Sequence, residues 1–271
     1  MKTISRIYTM LIFLFLYAPI VVLIIFSFNN STTMSRSVWS GFSFKWYLRL
    51  FQDSMLLDAL RNTLIIAVIA AIVSTVLGTM AAIGISGMNK LMKRLVMDVT
   101  NLPMVNPEIV TGVSLMLLFV FFARSMGNMS LGLGSLVLAH ITFCLPYVIL
   151  SVLPKLRQMD PHLYEAAQDL GCSPFFAFFK VVLPEIMPGV VTGMIMAFTL
   201  SIDDFVISYF TSGTTQTLPV FIYSMTRKRI SPEINALSTL LFATIIVLLL
   251  IINFRQLKDQ KAKEKAEEAY N

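Results

Sequence analysis

The chain has 271 residues, of which 56% are hydrophobic and only 13% charged, with a net charge of +6. A soluble domain carries roughly 45–50% apolar and ~25% charged residues. The composition excludes an ordinary soluble enzyme, a disordered chain and a secreted disulfide scaffold, and points to a protein whose solvent is largely lipid.

A helix needs about 20 apolar residues to cross the hydrocarbon core. The first uncharged run, from Arg6 to Arg36, holds 29 residues and predicts a span at 8–28. Lys2 and Arg6 resemble a signal-peptide n-region, but the run is too long and no A-x-A site follows, so an anchor is expected. The second run, from Arg61 to Lys90, holds 28 residues and predicts a span at 62–87. Ala70, Ser74, Gly78, Ala82 and Ser86 recur along it every four residues, a small-residue stripe on one helix face. In lipid, such a stripe lets another helix approach closely.

The third predicted span, 103–123, carries one carboxylate, Glu108. Pro103 and Pro107 precede it and remove backbone donors, so the helix is expected to break there. A broken helix at membrane depth generally lines a cavity. Counted from Asp98 and Arg124, Glu108 falls at mid-depth or slightly inward. The fourth span, 131–153, lies in the 30-residue run between Arg124 and Lys155. The fifth, 186–210, carries Asp203 and Asp204, about 27 Å along the helix from Glu185 and so toward the outer face. The sixth, 234–254, fills the 21-residue run from Glu233 to Arg255.

Six spans put both termini on one side. With the termini inside, the inner segments hold 13 Lys and Arg and the outer ones 8, which favours cytoplasmic termini. The basic tail 255–265 reads as a contact for the bilayer surface, and nothing suggests a nucleic-acid partner. Cys144 and Cys172, with His140 and His162, form no metal-ligand spacing, so no metal site is expected.

The segment 154–185 between the fourth and fifth spans is the most informative. Asp160 suits an N-cap, Pro161 a first helical position and Gly171 a C-terminal stop, which predicts a short helix over 161–170. Ser173-Pro174 repeats the cap signal, and Pro184 is expected to end a second helix. Leu163, Ala166, Ala167 and Leu170 share one face of the first helix, while Glu165 and Asp169 share another. Such a helix either docks in a partner's groove or lies on the membrane. Its acidic face argues against the membrane, because inner leaflets attract cations.

Glu165-Ala166-Ala167, three residues, Gly171, nine residues, Val181, one residue, then Leu183-Pro184 resembles the E-A-A-x3-G-x9-I-x-L-P loop of ABC-importer permeases, with Val181 in place of Ile. The wider chain is similar to the spermidine/putrescine branch of that family. The likeness is carried by Asn106-Pro107-Glu108-Ile109-Val110, the stretch from His140 to Pro146, that from Phe198 to Asp204, Ile222-Tyr223-Ser224-Met225, and Ser231 through Leu237. The branch has Asp where this chain has Glu108, and the first span and outer loop 29–61 match poorly.

The resemblance implies a single permease domain over 1–271 with an all-α, six-span, type I (MetI-like) fold and a cytoplasmic coupling helix. It implies ATPase-coupling roles for Glu165, Ala166, Ala167, Gly171, Leu183 and Pro184. Implied partners are a second permease subunit, two ATP-binding subunits and an extracytoplasmic polyamine-binding protein, in a bacterial inner or plasma membrane. The chain has no G-x-x-x-x-G-K-[ST] phosphate cradle, so ATP and Mg are expected on the partner subunits and no catalytic residue on this one.

A charge within a span costs about 2.5–3.5 kcal/mol on insertion scales and usually faces a polar path or a partner. Glu108 and one of Asp203 and Asp204 are therefore expected along the substrate path, the other aspartate capping or pairing. Phe205, Tyr209 and Tyr223 are candidate aromatic walls for ammonium groups. His140 reads as a packed, hydrogen-bonded residue. The alternatives are a permease for another small solute and an ATP-independent channel, which would need no docking helix.

Overall fold

The computed structural model describes residues 2–30, 39–126, 130–160, 162–228, 233–244 and 246–247. Pro161, Arg229, residues 248–254 of the expected sixth span and the basic tail 255–265 lie outside the described residues. The described residues are helical, apart from loops and one isolated bridge between Asn29 and Phe42. Among the described residues, five helices are long and apolar enough to cross a membrane, and 234–244 of the expected sixth span is helical too. The chain divides into two compact units, one of 1–54 with 222–271, the other of 55–221.

In the first unit, α1 (Lys2–Ser27) leads into a loop built around Asn29. The Asn29 side chain accepts the Ser40 amide at 2.8 Å, and its carbonyl accepts Trp46 Nε1–H at 2.8 Å. Phe28, Phe42, Phe44 and Tyr47 pack edge and face around this turn, and α2 (Lys45–Leu50) buries Trp46 and Leu50. Arg49 on α2 pairs at 3.1 Å with Glu233 of a helix α12, described over 233–244.

The second unit contains α3 (Ser54–Ser86), α4 (Lys90–Val105), α5 (Glu108–Met126), α6 (Leu133–Gln158), α7 (His162–Asp169), α8 (Pro174–Ala177), α9 (Leu183–Asp203), α10 (Val206–Thr211) and the start of α11 (Leu218–Lys228). The small-residue stripe behaves as expected over most of its length. Ala70, Ser74, Gly78 and Ala82 are buried, and a methyl added at Gly78 would stand 2.7 Å from Val148 of α6. Ser86 is exposed at the helix end. The tightest pairing is α6 with α9. A Cβ at Gly189 would lie 2.8 Å from the Ser151 carbonyl, and one at Gly193 3.2 Å from Val148 Cα. Close backbone approach replaces the hydrophobic drive that lipid does not supply.

Three expectations are corrected. The third span begins at Glu108 instead of 103, because Lys90–Val105 forms a separate helix with Asn89 as N-cap, its side chain accepting Met92 N–H at 2.9 Å. The break expected at the prolines is present, and it falls at Asn106-Pro107, where Asn106 is extended, while Pro103 is accommodated inside α4. The fifth span is not continuous over 186–210. α9 ends at Asp203, Asp204 is extended, and α10 restarts at Val206. Pro184 does not end a second helix. Phe178–Val182 adopts a π turn in which the Leu183 amide reaches the Phe178 carbonyl, so α8 runs on into α9 with Pro184 in its first turn. A widened turn tolerates the missing donor of Pro184 and makes room for its ring against the preceding turn.

Candidate functional site

The two helix breaks meet. Glu108, Phe143, Thr199, Leu200, Asp203, Asp204, Phe205 and Val206 line one cavity of about 220 Å³. Glu108 enters it from the first turn of α5, Asp203 from the last residue of α9, and Asp204 from the extended link to α10. The sequence set Glu108 and the aspartates at different depths; the breaks bring them to the lining of one cavity. Gly112 permits this, since α5 and α10 approach so closely there that an added methyl would meet Phe210 at 3.0 Å.

The three carboxylates stand in different electrostatic surroundings. Asp204 is 7% exposed and its oxygens accept the backbone N–H groups of Ile207 at 3.2 Å and Ser208 at 2.7 Å, free donors of α10's first turn. Glu108 sits at the N-terminus of α5, where the helix dipole favours an anion. Asp203 stands at the C-terminal end of α9, where the dipole disfavours one and suits a cation. It is exposed, and no ion pair reaches it among the described residues. A negative charge at a negative helix end, facing a cavity, is an attractor for cations.

Of the expected aromatic walls, Phe205 lines the cavity. Tyr209 stacks on Phe205 at 5.6 Å between centroids but does not line it. Tyr223 lies on α11 in the other compact unit. Sequence reasoning missed Phe143, which faces the cavity from α6, and Thr199, one helical turn before Asp203. The i, i+4 spacing of Thr199 and Asp203 was a usable signal for the second.

Behind the cavity lies a buried polar cluster. His140 on α6 is 1% exposed, with Nδ1 2.7 Å from Ser201 Oγ and Nε2 3.0 Å from Ser208 Oγ. The Asp204 carboxylate is 3.6 Å from Nε2. The expectation of a packed, hydrogen-bonded histidine holds.

Of the expected coupling residues, Glu165, Ala166 and Ala167 sit on the short helix, Gly171 in the turn that follows it, and Leu183 and Pro184 in the first turn of α9. Asp160 Oδ1 accepts the His162 amide at 2.9 Å and starts α7. Gly171, at φ +86°, stops the helix by placing its own amide on the Gln168 carbonyl and the Cys172 amide on that of Ala167. Ala167 is buried and Leu183 packs against the core of the unit. Glu165, Ala166 and Pro184 are exposed. The expected apolar face is therefore split. Only Ala167 turns inward, while Leu163, Ala166 and Leu170 join Phe175, Phe176 and Phe179 at the surface.

Residues 74–259 match the family of binding-protein-dependent transport system inner membrane components. The putrescine transport system permease protein PotI of Escherichia coli (strain K12) is 41% identical over 236 residues, 86% of this chain and 83% of that one. The spermidine/putrescine transport system permease protein PotC of the same strain is 39% identical over 240 residues, 88% of each chain. In three dimensions the chain superposes with a TM-score of 0.72, at 13% identity and over 93% of its length and 95% of the other, on a chain of a bacterial ABC transporter involved in the import of the acidic polysaccharide alginate. That likeness shows a shared fold. By sequence and architecture, the chain belongs to the family of binding-protein-dependent transport system inner membrane components.

Proposed function

We propose that this chain is a permease subunit of an ATP-driven ABC importer that moves polyamines, spermidine or putrescine, into the cell by alternating access. The observation that carries the reading is one cavity bounded by Glu108, Asp203 and Asp204 with Phe143 and Phe205 beside them. A polyamine offers separated ammonium groups on an apolar chain. Carboxylates take the charges, and an ammonium over a ring face gains about 0.5–2 kcal/mol. The PotI and PotC relatives, whose names give putrescine and spermidine, support the same cargo.

The partners are a second permease subunit, two ATP-binding subunits that carry ATP and Mg, and an extracytoplasmic polyamine-binding protein. The termini and the α7 loop face the cytoplasm. Glu165, Ala166, Ala167, Gly171, Leu183 and Pro184 belong to the surface that receives the ATP-binding subunit and its supports. Closure of the ATPase pair draws α7 with it. α6 runs into the loop that carries α7, and α7 packs against the π turn that opens α9. The displacement therefore reaches both helices that flank the cavity. Glu108 and Asp203 hold ammonium groups in transit, loosely enough for release. The test is labelled-spermidine uptake in cells lacking the chain, with and without its restoration, against unlabelled amines and oxyanions. Restored uptake blocked by amines alone is expected. Restored protein with unchanged uptake would overturn the polyamine assignment and leave the family standing.

A further inference from the structure

The buried cluster behind the cavity does something the carboxylates cannot do alone. Asp203 and Asp204 are adjacent, so the conformation of the link between α9 and α10 decides which of them faces the cavity. A continuous helix would point them about 100° apart along one cylinder. The observed break separates them instead, sending Asp204 back as a cap and leaving Asp203 at the end of α9. The break is spanned by one side chain. His140 reaches Ser201 in the last turn of α9 with one ring nitrogen and Ser208 in the first turn of α10 with the other. With Asp204 on the Nε2 side, the favoured tautomer has its proton on Nε2 and accepts the Ser201 hydroxyl at Nδ1. All four side chains are at most 7% exposed, so no water competes for these bonds.

We propose that His140 is the positioning residue of the cavity: by stapling α9 to α10 across the break from α6, it fixes Asp203 toward the cargo and Asp204 away from it. The proposal rests on the amine-site reading above. It assigns His140 no contact with cargo, since it does not line the cavity.

Two variants separate positioning from simple support. His140→Phe keeps a ring of similar size without either hydrogen bond, and Ser208→Ala removes one partner only. Each is made alone and with Asp203→Asn in the complete importer, reconstituted in vesicles with its partner subunits and binding protein. Spermidine and putrescine uptake are measured per assembled importer. Positioning through Asp203 predicts that both variants slow spermidine uptake roughly tenfold, the scale of one buried hydrogen bond. They shift the spermidine-to-putrescine ratio in the same direction as Asp203→Asn. Added to Asp203→Asn they change little further, within about twofold. Losses that multiply, or slower uptake of both amines with an unchanged ratio, overturn the proposal and reduce His140 to fold support. If His140→Phe does not assemble, Ser208→Ala carries the comparison by the same criteria. Normal uptake in Asp203→Asn overturns the amine-site reading and this proposal with it, an outcome distinct from multiplied losses.

Discussion

Asp203 and Asp204 are neighbours in sequence, yet their surroundings assign them different work. Asp204 is buried and accepts two backbone N–H groups, whereas Asp203 is exposed to the cavity at a helix end of its own sign. Asp204→Asn keeps the shape but gives up a charge-assisted cap, which lowers stability by about 1–2 kcal/mol. Thermal unfolding in detergent measures it, and an unchanged midpoint would contradict the capping role. Asp203→Asn should leave that midpoint in place, Glu108→Gln should lower stability by no more than the ~0.3–1 kcal/mol of a charge at a helix N-terminus, and both should cut spermidine uptake per assembled importer. Losing a hydrogen bond between a charged pair is worth about 1.5–3 kcal/mol, or roughly 10- to 100-fold. Uptake within twofold of the parent in either variant would remove that residue from the path. The sequence could say that these carboxylates were costly in lipid, and that one aspartate would cap. It could not say which, because the division follows from a helix break at Asp204-Phe205 that no proline or glycine announces. Tyr223 is a candidate for the same walls from its place near a span end, and it lies past the point in α11 where the two compact units divide.

At the scale of elements, long apolar runs made the main helices legible, and the stripe from Ala70 to Ala82 correctly announced a close helix contact. Two kinds of element escaped. α4 has charges at Lys90, Lys93, Arg94 and Asp98 and so broke the search for apolar runs, although Asn89 is a good N-cap. The π turn escaped because Pro184 carries the signal of a terminator, and only tertiary packing decides whether a helix ends or widens. Glycines provide the test of element packing. Gly189→Val places branched carbon where the Ser151 carbonyl and the Lys155 stem already stand at 2.8 Å, so α6 and α9 separate. Overpacking of this kind costs about 1–3 kcal/mol. Gly134→Ala, with nothing within 4 Å of the added methyl, is the matched control and should be silent in detergent unfolding. Gly171 makes a different case, since its φ of +86° is a backbone state that costs another residue about 1–2 kcal/mol. Gly171→Val should leave the chain in the membrane while abolishing ATP-dependent uptake, because α7 loses its stop and its docking angle. Continued uptake at the normal rate would mean that the loop does not transmit the ATPase stroke, as in a channel.

For the whole molecule, family membership was legible because it rests on a local motif of fixed spacing, whereas sidedness rests on a count of 13 cations against 8. The two arguments meet at one atom. Cys172 follows Gly171 directly and is half-buried, while Cys144 is fully buried between α6 and α9 with its thiol on the Ala197 carbonyl at 3.4 Å. A membrane-impermeant maleimide therefore has one accessible target, and its side of reaction reports the side of the coupling loop. Cytoplasmic termini require labelling of inside-out vesicles and none in intact spheroplasts. If α7 docks on an ATP-binding subunit, the same thiol should react faster in the chain expressed alone than in the complete importer. Labelling from outside would invert the topology and remove the docking role, because ATP is hydrolysed on the inner side. Inside labelling with equal rates in the two preparations would keep the topology but move the ATPase contact away from Gly171. Protection in the complex would join the charge count, the motif and the helix stop in one geometry, with the force applied at α7 and the carboxylates at the far end of α9.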